Sequence, residues 1–247
     1  MVLSSIPSPK KMWEKHEQLV LEVFMLALEM LREKVDLPIE EFAISEALAL
    51  KTREVNFALN QKGRGLPFPP DWEKPKQPAS ETDLGQSKKA KRPDFSCLFR
   101  NHAAQNYSNA YLEYHIECKR LGKSSNSGWN FNENYVTKGI CRFLSTTHRY
   151  GEGAFSGAMI GYVQNMVLIS IIEQINSHIL HQLGNEIPGI RFSEADFDEM
   201  GLIKSSQELT RKNVSPSSFE LRHLWLDLRR KYQGQSAEPT GKNILSA

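Results

Sequence analysis

The chain has 247 residues, of which 40% are hydrophobic, and its formal net charge is +2 at pH 7. This hydrophobic fraction is enough to bury a sizeable core, and the small net charge excludes a histone-like polyanion binder. No run approaches the roughly 18 apolar residues of a membrane span and no secretory signal begins the chain, so we expect a cytoplasmic protein that does not contact a membrane.

The first two predicted elements are helices. Over residues 12–35, apolar side chains recur at every third or fourth position, which is typical of an amphipathic helix. The sequence Asp36-Leu37-Pro38 ends this helix and opens a second one over about 39–60. We treat 1–38 as an N-terminal helical extension and 39–185 as the core domain.

The second helix carries a carboxylate on its apolar face. On a helical wheel that face is formed by Ile39, Ala43, Leu50 and Phe57. Glu46 falls among these residues, and a carboxylate in apolar surroundings must find a partner. An ion pair with Arg53 or Lys51 at the rim of the core is one possibility.

Residues 61–92 change character. Five of the chain's 12 prolines lie between residues 67 and 78, and a tract rich in Ser, Gly and Lys follows. Proline excludes a helix and disfavours a central strand. We predict an irregular loop inside the core domain. A short strand within it stays open, although no run of residues is a good candidate for one.

The next stretch contains two predicted strands with acidic residues. Residues 111–120 alternate between apolar and polar side chains, which is typical of a strand, with Glu117 and Lys119 on the same face. Asp94 opens a second apolar-rich run. If the two strands pair so that Asp94 lies beside Glu117, two carboxylates can reach one hard cation, with the Lys119 ammonium nearby.

These residues resemble a known signature. Pro93-Asp94, a spacer of 22 residues and Glu117-x-Lys119 are similar to the PD-(D/E)xK pattern of the restriction-endonuclease-like nuclease superfamily. The similarity covers about residues 39–183. It implies an α/β fold with a central mixed β-sheet of the αβββαβ type, flanked by helices.

The resemblance also implies a catalytic site. Asp94, Glu117 and Lys119 would be its catalytic residues, with Mg²⁺, or Mn²⁺ as a substitute, bound by the two carboxylates. The first core helix of this superfamily often supplies a further acidic ligand. We therefore expect Glu46 to be that ligand, with Glu41 as the fallback.

Basic and aromatic residues follow the motif. Residues 121–134 predict a loop that contains Trp129, and 135–147 predict a helix that carries Lys138 and Arg142 four positions apart. In the superfamily this helix lies near the site, so Lys138, Arg142 and Arg120 are candidates for binding nucleic acid. Trp129 could stack on a base. The alternatives are a solvated basic face and a tryptophan that packs over the edge of the core.

The remainder of the chain completes the predicted sheet. Residues 158–163 predict a buried strand and 164–183 an amphipathic helix. In a C-terminal extension, 186–233, alternating apolar residues after 218 favour a strand, although a helix is possible. This strand would extend the sheet or build a dimer contact. We predict that the tail, 234–247, is disordered.

The function implied by the resemblance is a Mg²⁺-dependent endonuclease that hydrolyses nucleic-acid phosphodiesters, DNA rather than RNA, in restriction or anti-phage defence. Because cutting both strands of a duplex needs two sites, we expect a homodimer or a subunit of a larger complex. Two alternatives stay open. One is a catalytically silent nuclease-fold subunit that binds a partner protein or nucleic acid, and the other is a structural ion-pair cluster.

Overall fold

The computed structural model describes residues 8–74, 92–102, 104–106, 110–124 and 130–232. Trp129, most of the predicted irregular loop and the predicted disordered tail lie outside these residues. The described chain is an α/β fold with one six-stranded mixed sheet between helices. None of its helices is both long enough and apolar enough to cross a membrane.

Two helices precede the sheet, as predicted. Helix α1 spans Pro9–Glu33 and α2 spans Glu41–Gln61. Ser8 caps α1, because its hydroxyl accepts from the backbone N–H of Lys11, and proline suits the first turn.

The predicted apolar face of α2 is wrong. Leu50 and Phe57 are 58% and 67% exposed, and Glu46 is exposed with them. The helix carries two apolar stripes, and the second one is buried. It comprises Ile44, Leu48, Val55 and Leu59. This stripe joins the core formed with α1 and the sheet, and that contact decides which side of α2 faces inward.

The first strand lies within the proline-rich stretch, where no candidate was predicted. Strand β1 is Asp71–Trp72, and it is followed by β2, Phe95–Arg100, and β3, Tyr111–Leu121. Both neighbouring pairs are antiparallel. Two residues suffice for β1 because it pairs with β2 alone, at the edge of the sheet.

A broken helical segment follows β3. It consists of α3, Phe131–Tyr135, a π-helical turn, Val136–Ile140, and α4, Cys141–Leu144. The segment begins earlier than the predicted residue 135, because the side chain of Asn130 caps it by accepting from the backbone N–H of Glu133.

The remaining strands extend the sheet in the order β1-β2-β3-β4-β6-β5. Strand β4 is Ser156–Val163, α5 is Leu168–Leu183, β5 is Leu202–Thr210, β6 is Ser218–Asp227 and α6 is Arg229–Tyr232. β4 runs parallel to both β3 and β6, whereas β5 and β6 are antiparallel. The predicted C-terminal strand is confirmed as β6, and β5 was not predicted.

The sheet separates two hydrophobic clusters. On one face, α1 and α2 pack on residues such as Ile116 and Ile160. On the other face, α3, α4 and α5 pack on residues such as Met159 and Trp225. Because both faces are covered, every residue of β4 is buried, as expected of a central strand between parallel neighbours.

Candidate functional site

The candidate site lies where β2 and β3 meet, and strand pairing brings its residues together. Phe95 is opposite Ile116 in the antiparallel ladder, so Asp94, one residue before β2, is level with Glu117. Asp94 Oδ2 accepts a hydrogen bond of 2.6 Å from the backbone N–H of Cys118. The predicted proximity of Asp94 and Glu117 is therefore found in the structure.

The ammonium group of Lys119 lies at the centre of this cluster. It donates to Glu117 Oε1 at 2.7 Å, to Glu41 Oε1 at 3.0 Å and to the carbonyl of Cys118 at 2.6 Å. Asp94 Oδ2 lies 3.9 Å from it. Burial alone would lower the pKa of Lys119, but the charges of Glu117, Asp94 and Glu41 outweigh burial and raise the pKa above its ordinary value. The side chain is therefore a cation throughout the physiological pH range.

The carboxylate of Glu117 is fully buried. Its Oε1 atom accepts from both Lys119 and Arg142. Its Oε2 atom has no hydrogen-bond partner in the described part of the chain. Because leaving a buried polar atom unsatisfied costs about 1–3 kcal/mol, and more for a charged group, such an atom is typical of a position where a ligand completes the site.

The pKa of Asp94 is shifted by its own burial and by the charge of Glu117. Burial, and after it repulsion by Glu117, raise the pKa of Asp94 from 3.8 to about 8, although the charge of Lys119 opposes this shift. A buried carboxyl group whose ionisation is opposed by a neighbouring carboxylate is more common at functional sites than elsewhere. A cation bound between them would relieve this repulsion.

The oxygen atoms of Asp94 and Glu117 fit Mg²⁺ in kind. In phosphate-cleaving sites this ion is held by one or two carboxylates, and water and substrate phosphate provide its other ligands. The unpartnered Oε2 atom of Glu117 supplies the observation that supports this fit. Among the residues that the structure describes, no group of three or more His, Cys, Asp or Glu side chains could hold a metal ion.

The third acidic residue at the cluster is Glu41, the predicted fallback, whereas Glu46 does not approach it. Glu41 begins α2, and its carboxylate accepts from Lys119 Nζ and, at 3.1 Å, from the backbone N–H of Arg120. Glu46 lies on the exposed side of α2. The prediction that Glu46 points towards the core is wrong, because α2 buries its other apolar stripe.

Arg142, which lies in α4, also contacts the cluster. Its guanidinium donates to Glu117 Oε1, and burial, which would lower the pKa of Arg142, is outweighed by the charge of Glu117. Its Cζ atom also lies 6.0 Å from the centre of the Tyr150 ring. Arg142 therefore reaches Glu117 from the helical segment that follows β3, whereas Asp94 reaches the site from the chain just before β2.

The other three predicted contact residues have different surroundings. The guanidinium of Arg120 lies 4.2 Å from the centre of the Phe131 ring and pairs with Glu40 at 3.3 Å. Lys138 is exposed on the π-helical turn. Trp129 is outside the described residues. Arg120 is thus held by its own chain, and Lys138 is at the surface.

Tyr150 is a site residue that the sequence did not predict. Its ring is buried against His115 and Phe143, and its hydroxyl has no hydrogen-bond partner among the described residues. Burial and then the charge of Glu117 raise the pKa of Tyr150 above its ordinary value. The glycine-punctuated turn that carries Tyr150 gives no periodic signal, so only tertiary contacts reveal it.

A distant arginine holds that turn in place. Arg211 follows β5 and donates from Nη1 to the carbonyls of Tyr150 and Gly151 at 3.2 and 3.1 Å. The N–H of Gly151 donates to His115 Nδ1 at 2.9 Å. The C-terminal strand pair therefore helps to position Tyr150 beside the cluster.

No protein-family model matches the chain, and neither a curated protein nor a solved structure shows a significant similarity to it.

Proposed function

We propose that the chain is a Mg²⁺-dependent endonuclease that hydrolyses phosphodiesters of nucleic acid, with DNA as the preferred substrate. The observation that carries this proposal is the convergence of Asp94, Glu117 and Lys119, in which a buried carboxylate oxygen of Glu117 has no partner in the described part of the chain. The choice of DNA and of a restriction or anti-phage role depends on the resemblance of the motif.

The order of elements supports the same proposal. Along the chain, α2 is followed by β1, β2 and β3, then by the helical segment and by β4. This is the order that the resemblance implies. Asp94 lies one residue before β2 and Glu117 lies within β3, which is the placement that the resemblance implies.

Asp94 and Glu117 would hold the ion in this proposal. When bound, Mg²⁺ polarises a phosphoryl oxygen and lowers the pKa of a coordinated water molecule. Asp94 must lose its proton to act as a ligand, and its carboxylate is then oriented by the N–H of Cys118. The side chains of Lys119 and Arg142 orient Glu117, because both donate to its Oε1 atom. This leaves the Oε2 atom available to the ion.

Lys119 and Arg142 would act on the phosphate and on the attacking water. Lys119 remains protonated in its carboxylate environment, so its charge can stabilise negative charge that develops on the phosphate oxygens. Its three N–H donors are engaged within the chain, so it would orient the attacking water by exchanging one of these hydrogen bonds. Arg142 can donate to a phosphate oxygen from the nitrogen atoms that do not contact Glu117, because a guanidinium presents five N–H donors. The Tyr150 hydroxyl can donate to the same group.

Degradation of DNA tests this proposal. Plasmid, single-stranded DNA and RNA are incubated with the full chain and Mg²⁺ or Mn²⁺, and Lys119→Ala is compared with Lys204→Ala, which removes an exposed lysine from β5. We expect Lys119→Ala to lower cleavage at least about 100-fold, in line with the loss of one charge-stabilising donor. The Lys204 variant should cleave like the wild type.

A second variant distinguishes the loss of the positive charge from a loss of folding. Lys119→Gln keeps a donor towards Glu117 but lacks the positive charge, and circular dichroism checks that both variants fold. Cleavage that persists in a folded Lys119 variant would refute the assigned chemistry.

A catalytically silent subunit is the second candidate function. It is favoured by the ion pairs that Lys119 already forms with Glu117 and Glu41 within the chain, together with its approach to Asp94. Such a protein would bind DNA or a partner without cleaving it, with or without Mg²⁺. Electrophoretic mobility shifts of the same DNA substrates, recorded with EDTA and with Mg²⁺, separate binding from cleavage.

A further inference from the structure

Helix α2 has an exposed apolar stripe. Leu50 and Phe57 are 58% and 67% exposed, and Phe42, which contacts Trp72 at the edge of the sheet, is 56% exposed. Exposed apolar side chains that are scattered singly need no explanation, but a row of them on one helix marks an interaction surface. Glu46 and Arg53 lie on the same side of the helix as Leu50 and Phe57, and Phe42 borders it. We call the row formed by Ala43, Glu46, Leu50, Arg53 and Phe57 the α2 seam.

The spacing of the α2 seam is that of a helix pair. Its five positions are separated by three and four residues in turn, which is the a and d pattern of a coiled coil. The opposite side of the helix is already buried against α1 and β3. The α2 seam therefore faces outwards, and a partner for it must come from outside the described part of the chain.

The charged residues of the α2 seam identify the partner. Glu46 and Arg53 are both exposed, and neither forms an ion pair with another described residue. They lie seven residues apart, at equal distances from the point between Ala49 and Leu50. A two-fold axis through that point places a second, antiparallel copy so that Glu46 of each copy is level with Arg53 of the other.

We propose that the α2 seam binds the α2 seam of a second copy of this chain, antiparallel and about this two-fold axis. In that arrangement Phe42 of each copy is level with Phe57 of the other, and the two Leu50 side chains meet near the axis. Glu46 pairs with Arg53 twice. A face that is complementary to itself in both shape and charge is what an isologous dimer requires.

The size of the surface sets the expected affinity. The 21 residues of α2 form a rod about 31 Å long, and one helix pair buries less than the roughly 800 Å² per partner of a standard stable interface. We therefore expect a dissociation constant of about 1–100 μM. The two Glu41 residues would lie about 25 Å apart along the paired helices.

Sedimentation equilibrium of the full chain between about 2 and 200 μM, which brackets this affinity, tests the proposal. Leu50→Glu buries a charge at the axis, and we expect it to abolish the dimer. The matched control is Leu180→Glu, which changes a leucine of α5 that is 57% exposed and outside the α2 seam. This control should dimerise like the wild type.

Charge reversal tests the register. Glu46→Arg alone and Arg53→Glu alone each place like charges together twice, so we expect either variant to weaken the dimer at least about tenfold. The variant that carries both substitutions restores opposite charges and should return to within about threefold of wild type.

Three results would overturn the inference. They are a wild type that is monomeric at the highest concentration, a dimer that survives Leu50→Glu, and a double charge-reversal variant that stays as weak as the single variants. The inference does not depend on the proposed nuclease activity, since association is measured without nucleic acid.

Discussion

Replacing Asp94 with asparagine should change how the stability of the protein depends on pH. The ordinary pKa of this carboxyl is 3.8, and burial followed by repulsion from Glu117 raises it to about 8 in the folded chain. The folded state therefore keeps a proton that the unfolded state releases, over the window between about pH 4 and pH 8. Stability is lost as the pH rises through this window, because the unfolded chain is favoured by proton release.

The magnitude follows from the linkage relation. One extra proton in the folded state makes the free energy of unfolding fall by about 1.4 kcal/mol per pH unit. Between pH 5 and pH 7, the wild type should thus lose about 3 kcal/mol relative to Asp94→Asn, which cannot titrate at this position. The asparagine oxygen can still accept from the N–H of Cys118, so the backbone contact of 2.6 Å need not be lost.

Urea unfolding at several pH values between 5 and 7, without divalent ions, measures this difference. The matched control is Asp36→Asn, which removes an exposed carboxylate between α1 and α2. Contributions from titrating groups that do not interact with Asp94 cancel when each variant is subtracted from the wild type. A difference that stays constant across the range, or one in which the wild type gains stability as the pH rises, would refute the reasoning.

Two further predictions concern the site and the core. Isothermal titration of the wild type with Mn²⁺ at pH 8 should give binding heat that Glu117→Gln loses, because the amide cannot supply a charged oxygen to a hard cation; equal heats in both proteins would contradict the ligand assignment. In the core, Tyr135→Phe should lower the free energy of unfolding by roughly 2–5 kcal/mol, because the Tyr135 hydroxyl bonds both His223 Nδ1 and Trp225 Nε1. Tyr114→Phe should change it by less than about 1 kcal/mol, because that hydroxyl has no partner among the described residues. Urea unfolding of both variants measures these losses, and a larger loss in Tyr114→Phe than in Tyr135→Phe would contradict the prediction.

The acidic cluster was largely readable in the sequence because its residues are placed by local rules. Alternation along 111–120 puts Glu117 and Lys119 on one side of β3, and this requires only the geometry of an extended strand. The apolar run after Asp94 likewise indicated β2. Antiparallel pairing of the two strands then brought Asp94 level with Glu117.

The choice of the third acidic residue could not be made in the same way. The sequence of α2 contains two apolar stripes, and periodicity alone does not say which one is buried. Contacts with α1 and β3 bury Ile44 and Leu48, which turns Glu46 outwards and leaves Glu41, at the first turn, beside Lys119.

By itself, the sequence determined most of the elements that repeat with a regular period: helices α1, α2 and α5, and strands β3, β4 and β6. It also determined the acidic and basic residues that β3 presents on one side. Tertiary structure alone decided the two-residue strand β1, the face of α2 that is buried, and the approach of Arg142 and Tyr150 to Glu117. These features depend on contacts between segments far apart in the chain, and such contacts leave no periodic pattern within either segment.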